Sequence, residues 1–223
     1  SYAGMLTGRY AIHTGMNKTG PWGKPEGLPL SNPTIPKTLR TKDYVCALVG
    51  KWGLGETGQY WPPTVQGYDY FYGIPHSHDT WPLAVFEARA GSAQVSKADV
   101  SLSVDVTPNV TTLQEDFYRR GERFIVENAG RPFYINFNFS APHLPSSPPA
   151  EFVGMSQAGD YGDTVVQLDS FVGRLMAKLQ QLNLHDDTVV VFTSDNGPWY
   201  WGSAGALRDR KTQPGYDGAY KVP

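Results

Sequence analysis

The chain has 223 residues, of which 40% are hydrophobic and 18% are charged, and its formal net charge is −2. This length and balance are typical of a soluble globular protein with one sizeable core. The small negative charge favours neither nucleic acid nor an anionic membrane surface as a partner. No apolar stretch is long enough to span a bilayer, so we expect no transmembrane segment.

The cysteine content and the chain ends say little about the cellular compartment. Cys46 is the only cysteine and lies in the apolar run 44–49, which favours a buried structural thiol over a nucleophile. The chain begins at Ser1, without an initiator methionine, and stops at Pro223. Both ends are therefore expected to be cut from a longer protein.

Three Asn-X-Ser/Thr sequons begin at Asn17, Asn109 and Asn138. This short pattern often arises by chance, so it indicates a secreted glycoprotein only weakly. Asn138 lies in an apolar run typical of a strand and is the least favoured acceptor. Asn17 and Asn109 are the candidates for N-glycosylation.

The predicted elements alternate between helix and strand along the chain. Helices are predicted over residues 36–43, 111–129 and 161–182, and strands over residues 44–49, 133–139 and 188–193. Residues 53–109 are rich in glycine, proline and aromatic residues and are predicted to form long loops, where binding residues often lie. The alternation predicts an α/β sandwich with a mainly parallel sheet.

Apolar side chains mark the longer elements. The inner face of helix 111–129 is predicted to contain Leu113, Phe117, Phe124 and Ile125. Helix 161–182 is indicated by the spacing of Val165, Leu168, Val172, Leu175, Leu179 and Leu182. The run 188–193, with three valines and a phenylalanine, is typical of a strand buried on both faces of a parallel sheet.

A polar cluster follows each of the three predicted strands. These clusters contain Lys51, His143 and the pair Asp195 and Asn196. In a parallel sheet the carboxyl ends of the strands share one edge, where ligands bind, so we expect the clusters to form one site. The carboxylate of Asp195 and the amide oxygen of Asn196 suit a hard cation such as Ca²⁺ or Mg²⁺. The alternative for this Asp-Asn-Gly sequence is a simple turn.

Two lysines and a histidine suit an anionic tetrahedral substrate. Lys51 and Lys211 would hold its oxygens, and His143 would donate a proton to a leaving oxygen. Each residue also has a plainer interpretation: a solvated lysine at a strand end for Lys51, a packed loop residue for His143, and part of a solvated charge run for Lys211.

Six motifs in chain order resemble those of the sulfatases, most closely the arylsulfatase A-like members. They are Leu-Thr-Gly-Arg-Tyr at 6–10, Gly-Lys-Trp-Gly-Leu-Gly at 50–55, Gly-Ile-Pro-His-Ser-His-Asp at 73–79, Ala-Pro-His-Leu-Pro at 141–145, Thr-Ser-Asp-Asn-Gly-Pro at 193–198, and the segment 207–223. The resemblance covers nearly the whole chain, so residues 1–223 would be a partial catalytic domain.

The resemblance implies a three-layer α/β/α sandwich of the alkaline phosphatase type and the hydrolysis of sulfate esters. In the family, the nucleophile is a formylglycine made from a cysteine, and one Ca²⁺ ion balances the charge of the sulfate. The residues carried over by position are Asp195 and Asn196 as metal ligands, Lys51, Ser77 and Lys211 as sulfate contacts, and Lys51, His143 and Lys211 as catalytic residues.

The chain departs from the family pattern at two positions. Tyr2 stands where the signature has an arginine that supports the formylglycine, and Gly53 stands where the family usually has a histidine that holds the hydrated aldehyde. The nucleophilic cysteine would lie just before Ser1, and the paired aspartates and smaller C-terminal domain of the family would also lie outside the chain. We therefore expect residues 1–223 alone to be inactive and to bind Ca²⁺ poorly.

The resemblance implies a small-molecule or glycan sulfate ester as substrate and a secreted, lysosomal or periplasmic location. The sequence indicates neither nucleic-acid binding nor a particular oligomeric state. Two other functions stay open: a sulfatase-fold protein that binds a sulfated ligand without turnover, and a relative that processes phosphate esters. The residue at the nucleophile position would separate these three possibilities.

Overall fold

The computed structural model describes residues 1–16, 26–80, 83–90, 109–213 and 215–222. The chain forms two compact units, a first unit of Ala3–Pro145 and a second unit of Ser1–Tyr2 with Ser146–Pro223. The helices are α1 (Tyr2–Thr7), α2 (Ala11–Thr14), α3 (Ile35–Arg40), α4 (Val110–Glu127) and α5 (Gly159–Gln181). The strands are β1 (Val45–Lys51), β2 (Tyr70–Ile74), β3 (Phe86–Arg89) and β4 (Phe133–Asn138).

The described strands form one sheet in the order β3-β2-β1-β4. β1 runs parallel to both β2 and β4, while β3 pairs antiparallel with β2 at the edge of the sheet. The strands predicted at 44–49 and 133–139 and the helices predicted at 36–43 and 111–129 are confirmed within a few residues. The prediction of a mainly parallel sheet is confirmed as well.

Helix α4 packs on the sheet through its apolar face. Its N-terminus is capped by Asn109, whose side chain accepts a hydrogen bond from the Thr111 N–H at 3.0 Å. The predicted inner face is buried as expected, at Leu113, Phe117, Phe124 and Ile125. Burial of each of these side chains stabilises the fold by about 1.5–3 kcal/mol. The helix is therefore firmly attached to the sheet whose strand ends are described below.

The prediction of long loops over residues 53–109 is wrong at two places, because β2 and β3 lie within this range. β2 has the sequence Tyr-Phe-Tyr-Gly-Ile, and all of its residues except Tyr72 are buried. A strand buried on both faces does not alternate apolar and polar residues, and its glycine resembles a loop signal. Residues 81–82 and 91–108 of this range lie outside the described part of the chain.

Two glycines allow neighbouring strands to approach closely at their carboxyl ends. Gly50 of β1 faces Gly73 of β2, and a Cβ on Gly73 would overlap the Gly50 carbonyl oxygen. Gly50 has a φ of +107°, which L side chains rarely adopt, and a Cβ there would overlap the Asn138 carbonyl oxygen. Because the overlapping atoms belong to the backbone of the sheet, they cannot move aside as a flexible side chain would.

Gly73→Ala is therefore expected to destabilise the fold by about 1–3 kcal/mol through overpacking. Gly130→Ala is the matched control, because a Cβ on Gly130 meets nothing within 4 Å in the described part of the chain. Chemical denaturation of both variants measures their free energies of unfolding. Equal stability of the two variants would contradict the close approach of β1 and β2.

The second unit contains α5, which confirms the helix predicted at 161–182. Near its start, Asp163 accepts hydrogen bonds from the backbone N–H groups of Gly154 and Ser156, each at 2.7 Å. These hydrogen bonds hold the pKa of the Asp163 carboxyl below its ordinary value. Among the apolar residues that indicated this helix, Leu179 is buried and Val165 is exposed. None of the helices in the described residues is long and apolar enough to cross a membrane.

The prediction of a strand at residues 188–193 is wrong. These residues form no strand, and Val189 and Val191 are 90% and 79% exposed. The run has high strand propensity, but a strand needs a neighbouring strand to take its backbone hydrogen bonds. All the described strands lie in the first unit, so residues 146–213 and 215–222 of the second unit offer no such neighbour.

Candidate functional site

The carboxyl ends of β1, β2 and β4 meet at one edge of the sheet in the first unit. Lys51 ends β1 and pairs with Ile74 at the end of β2. The pairing continues beyond the strands, where the Gly53 N–H donates to the Pro75 carbonyl at 2.8 Å. On the other side, Asn138 at the end of β4 donates from Nδ2 to the Lys51 carbonyl at 3.2 Å. The backbone of Lys51 is therefore held between two neighbouring strand ends.

His143 lies in the turn that follows β4. Its backbone N–H donates to the Ser140 carbonyl at 3.1 Å. Ser140 is buried, and its Oγ accepts a hydrogen bond from Gln114 Nε2 of α4 at 2.7 Å, so the helix anchors the turn. The imidazole Nδ1 lies 2.8 Å from the Leu144 carbonyl oxygen. Because a carbonyl oxygen only accepts hydrogen bonds, Nδ1 of His143 carries a proton.

The loop after β2 brings Ser77, His78 and Asp79 to the same edge. The rings of His78 and His143 meet edge to face, with centroids 5.9 Å apart and an interplanar angle of 89°. Asp79 Oδ2 lies 3.9 Å from His143 Nδ1. Burial would raise the pKa of the Asp79 carboxyl, but the Ser77 hydroxyl and the His143 ring outweigh it, so this pKa lies below its ordinary value. Asp79 is therefore charged at neutral pH.

His78 is a buried histidine, with 5% of its surface exposed. Burial is the largest effect on the pKa of His78 and lowers this pKa. The hydrogen bond to the Pro145 carbonyl raises the pKa, whereas the nearby His143 and Lys51 lower it further. Its Nε2 lies 3.1 Å from the Pro145 carbonyl oxygen, so Nε2 carries the ring proton. Nδ1 has no hydrogen-bond partner among the residues that the structure describes.

The buried state of His78 predicts a loss of stability at acid pH. Its pKa is lowered in the folded state, so as the pH falls below the ordinary value of 6.5 the unfolded chain takes up the proton first. The free energy of unfolding should therefore fall with pH below 6.5, with a slope from this group of at most about 1.4 kcal/mol per pH unit.

Denaturant unfolding at about pH 5.5 and 7.5 measures this effect as a difference between the two conditions. The wild-type protein should lose more stability at the lower pH than His78→Gln, which keeps a donor for the Pro145 carbonyl but takes up no proton. His185→Gln is the control, because His185 is exposed, and it should keep the wild-type pH dependence. Identical profiles for the wild type and His78→Gln would contradict a buried, neutral His78.

Asp195, Asn196 and Lys211 lie in the second unit, in two segments joined by hydrogen bonds. The Lys211 N–H donates to the Pro198 carbonyl at 2.9 Å, which places the Lys211 backbone beside the loop that contains the other two residues. Asn196 donates from Nδ2 to the Gly197 carbonyl at 3.2 Å, which uses its amide nitrogen and not its oxygen. Asp195 is exposed.

The predicted site residues thus fall into two groups. Lys51, Ser77 and His143 lie together in the first unit, and Asp195, Asn196 and Lys211 lie together in the second. The convergence of both groups on one site stays a prediction. Asp195 and Asn196 offer the oxygen donors that Ca²⁺ prefers, but this ion takes six to eight such ligands. Within the described ranges, no group of three or more His, Cys, Asp or Glu residues could hold a metal ion.

The other residues singled out in the sequence lie outside this edge. Cys46 is buried, as predicted, and burial is the main cause that raises its pKa to about 12. Asn17 lies outside the described residues, and glycosylation of the exposed Asn109 stays a prediction. The side-chain nitrogen of Asn138 is engaged with a backbone carbonyl, as described above.

A family model described as Sulfatase matches residues 1–223. The chain belongs to the sulfatase family. It is 32% identical to human arylsulfatase A over an alignment that covers 100% of the chain and 48% of that protein. It is 30% identical to human N-acetylgalactosamine-6-sulfatase, again over 100% of the chain and 46% of that protein. This sulfatase chain therefore spans about half the length of the curated relatives it matches.

Two solved structures illustrate the shared fold. PsFucS1 sulfatase from Pseudoalteromonas sp. matches with a TM-score of 0.87 and 24% identity, over 100% of this chain and 50% of that one. Ps i-CgsB in complex with k-i-k-neocarrahexaose matches with a TM-score of 0.82 and 22% identity, over 99% of this chain and 53% of that one. The predicted α/β fold of the alkaline phosphatase type, a three-layer α/β/α sandwich, is confirmed.

Sequence reasoning assigned no role to His78 and Asp79, although both contact or approach His143. The sequence does contain a signal for these two residues. The apolar run at 70–74 is followed by a polar cluster, as the parallel strands β1 and β4 are. Because β2 was not predicted, its cluster was not recognised as part of the shared edge.

Proposed function

We propose that the full-length protein is a sulfuric ester hydrolase. Membership of the sulfatase family supports sulfate ester hydrolysis as the general reaction. The main support from the structure is the position of Lys51, Ser77 and His143 after the carboxyl ends of β1, β2 and β4. These side chains offer a cation, a hydroxyl donor and an imidazole to one anionic group.

The proposed roles follow from the chemistry of each side chain. Lys51 and Lys211 bind sulfate oxygens and stabilise the negative charge that develops as the ester bond breaks. Ser77 donates a hydrogen bond to the same group. His143, in its protonated form, gives a proton to the ester oxygen that leaves, and so acts as a general acid.

Asp195 and Asn196 are the proposed ligands of one Ca²⁺ ion, because carboxylate and amide oxygens suit this cation. A bound Ca²⁺ supplies positive charge that balances the sulfate. The proposed nucleophile is a formylglycine made from a cysteine outside residues 1–223. On this account residues 1–223 alone are inactive, since they lack both the nucleophile and the remaining oxygen ligands.

The proposed substrate is a sulfated small molecule or glycan. One matched relative is named N-acetylgalactosamine-6-sulfatase, and one matched structure was solved with k-i-k-neocarrahexaose. A secreted, lysosomal or periplasmic location fits this substrate class and the sequons at Asn17 and Asn109.

A non-catalytic, sulfate-binding protein is the second candidate, and two residues favour it. Gly53 offers no side chain where the family has a histidine that holds the hydrated aldehyde. Tyr2 offers no permanent charge where the family has an arginine. A phosphate-processing relative would use the same lysines and histidine, so the nucleophile and the relative turnover of the two esters separate it from a sulfatase.

Gly53→His is expected to raise kcat on an aryl sulfate about tenfold in the full-length protein. A preorganised contact of this kind contributes about 10²-fold in rate. However, Gly53 has a φ of +73°, a backbone conformation that costs an L residue roughly 1–2 kcal/mol. The introduced histidine is therefore expected to hold the hydrated aldehyde less firmly, which reduces the gain in rate. Gly58→His is the matched control, because Gly58 has a φ of +60° and both glycines have open space in the described structure. An unchanged kcat for Gly53→His would show that the missing histidine does not limit the rate.

Mass spectrometry of the full-length protein tests the proposal at its nucleophile. A cysteine, or a serine in the sulfatase signature, that is converted to formylglycine just before residue 1 supports the sulfatase. A threonine or serine in a different sequence context supports the phosphate-processing relative. Any other residue there contradicts an enzyme of this family and supports the sulfate-binding protein.

A further inference from the structure

Three groups surround the His143 imidazole at the edge of the sheet. Its Nδ1 donates to the Leu144 carbonyl at 2.8 Å, and Asp79 Oδ2 lies 3.9 Å from the same nitrogen. The His78 ring meets the His143 ring edge to face at 5.9 Å. Both oxygens near Nδ1 accept hydrogen bonds, so both favour a proton on that nitrogen.

We propose that Asp79 is a positioning residue: its negative charge, 3.9 Å from Nδ1, reinforces the Leu144 carbonyl in keeping His143 in the Nδ1–H tautomer and leaves Nε2 for the substrate. The consequence for catalysis rests on the proposed function of His143 as a general acid. With one proton fixed on Nδ1, the second proton of the imidazolium sits on Nε2, from which it passes to the leaving oxygen. Neutral histidine in water favours the opposite, Nε2–H tautomer, so the protein must impose this arrangement.

His78 supports the same arrangement through the loop that contains His143. The Nε2–H of His78 donates to the carbonyl of Pro145, which lies two residues after His143. This hydrogen bond links the His78 side chain to the loop that contains His143. Since His78 is buried, it stays neutral and adds no positive charge next to an imidazolium. Lys51 as a cation and Asp79 as an anion both lie within electrostatic reach of His78.

The tautomer can be measured directly in the full-length protein. Long-range ¹H–¹⁵N correlation spectra of protein labelled with ¹⁵N-histidine, recorded where the rings are neutral, distinguish the two ring nitrogens. His143→Gln and His78→Gln assign the signals. In the wild type we expect His143 as Nδ1–H and His78 as Nε2–H. In Asp79→Asn the His143 signals should move toward a mixture of both tautomers.

The chain provides a matched control in an exposed histidine–aspartate pair. His185 Nδ1 lies 3.2 Å from Asp186 Oδ1, outside the site. Asp186→Asn should change the His185 signals and leave those of His143 as in the wild type. If Asp79→Asn leaves the His143 tautomer unchanged, the proposal is overturned, whatever the activity of the protein.

Turnover of an aryl sulfate provides the second readout. Asp79→Asn should lower kcat about tenfold, as loss of an orienting partner does elsewhere, with KM nearly unchanged, and Asp79→Glu should recover part of the loss. A wild-type kcat in Asp79→Asn overturns the positioning role. If the wild type hydrolyses no sulfate ester, the proposed function fails, but the tautomer measurement still decides whether Asp79 sets the state of His143.

Discussion

Asp195→Ala in the full-length protein is expected to reduce the hydrolysis of an aryl sulfate by at least about 10³-fold. The variant loses one of the two proposed oxygen ligands in this chain, and a cation that takes six to eight oxygens is then bound less tightly. Charge balance by a bound cation contributes several kcal/mol to the transition state, so its loss affects kcat as well as binding. Initial rates at two Ca²⁺ concentrations measure both effects.

Asp187→Ala is the control for this variant. Asp187 is an exposed carboxylate of the same unit, so its removal should leave the rate within about twofold of the wild type. Isothermal titration with Ca²⁺ should show weaker binding for Asp195→Ala only. A rate for Asp195→Ala within about twofold of the wild type would contradict the assignment of Asp195 as a metal ligand.

Lys51→Ala is expected to reduce kcat/KM on the same ester by about 10²–10³-fold. Its backbone is held between the ends of β2 and β4, so its side chain is anchored at the shared edge. Removing a preorganised cation leaves the developing charge on the sulfate oxygens without a partner. Steady-state kinetics measure the loss, which should appear in kcat as well as in KM.

Two further variants sharpen this prediction. Lys42→Ala removes an exposed lysine before β1 and should behave as the wild type. Lys51→Arg keeps the positive charge but changes its shape and should recover only part of the rate. If Lys51→Ala retains the wild-type kcat/KM, the lysine is a solvated residue at the end of a strand, which is the plainer interpretation of its sequence.

The elements with strong local signals could be predicted from the sequence. α4 has a capping asparagine and a periodic apolar face, and all four residues predicted for that face are buried. β1 and β4 are apolar runs of ordinary strand length. Lys51, the last residue of β1, and His143, in the turn after β4, lie at the edge where a parallel sheet places them. Local propensity and global fold agree in these elements, which is why single-sequence reasoning succeeded.

The strands that depend on distant partners could not be predicted. β2 contains a glycine that is needed for its close approach to Gly50, and that contact is invisible in the local sequence. Residues 188–193 show the opposite case, since their strong strand propensity meets no neighbouring strand in the described part of the second unit. A missing strand in the prediction also hid the roles of His78 and Asp79, because their position follows from β2.

The roles of the site residues came from different sources. A carboxylate next to an amide suggests a hard cation from chemistry alone, but the formylglycine and the calcium ion came from the family resemblance. The structure adds the contacts around His143, which neither spacing nor resemblance could supply. The positioning role of Asp79 is therefore an inference from three-dimensional geometry.

The most direct test of the central claim compares kcat/KM of the full-length protein for 4-nitrophenyl sulfate and 4-nitrophenyl phosphate under the same conditions. Asp195→Ala provides the background for both substrates. We predict sulfate ester hydrolysis well above that background and faster than phosphate ester hydrolysis. Faster turnover of the phosphate ester, or no turnover of either ester above the background, would contradict the assignment of this chain to a catalytically active sulfatase.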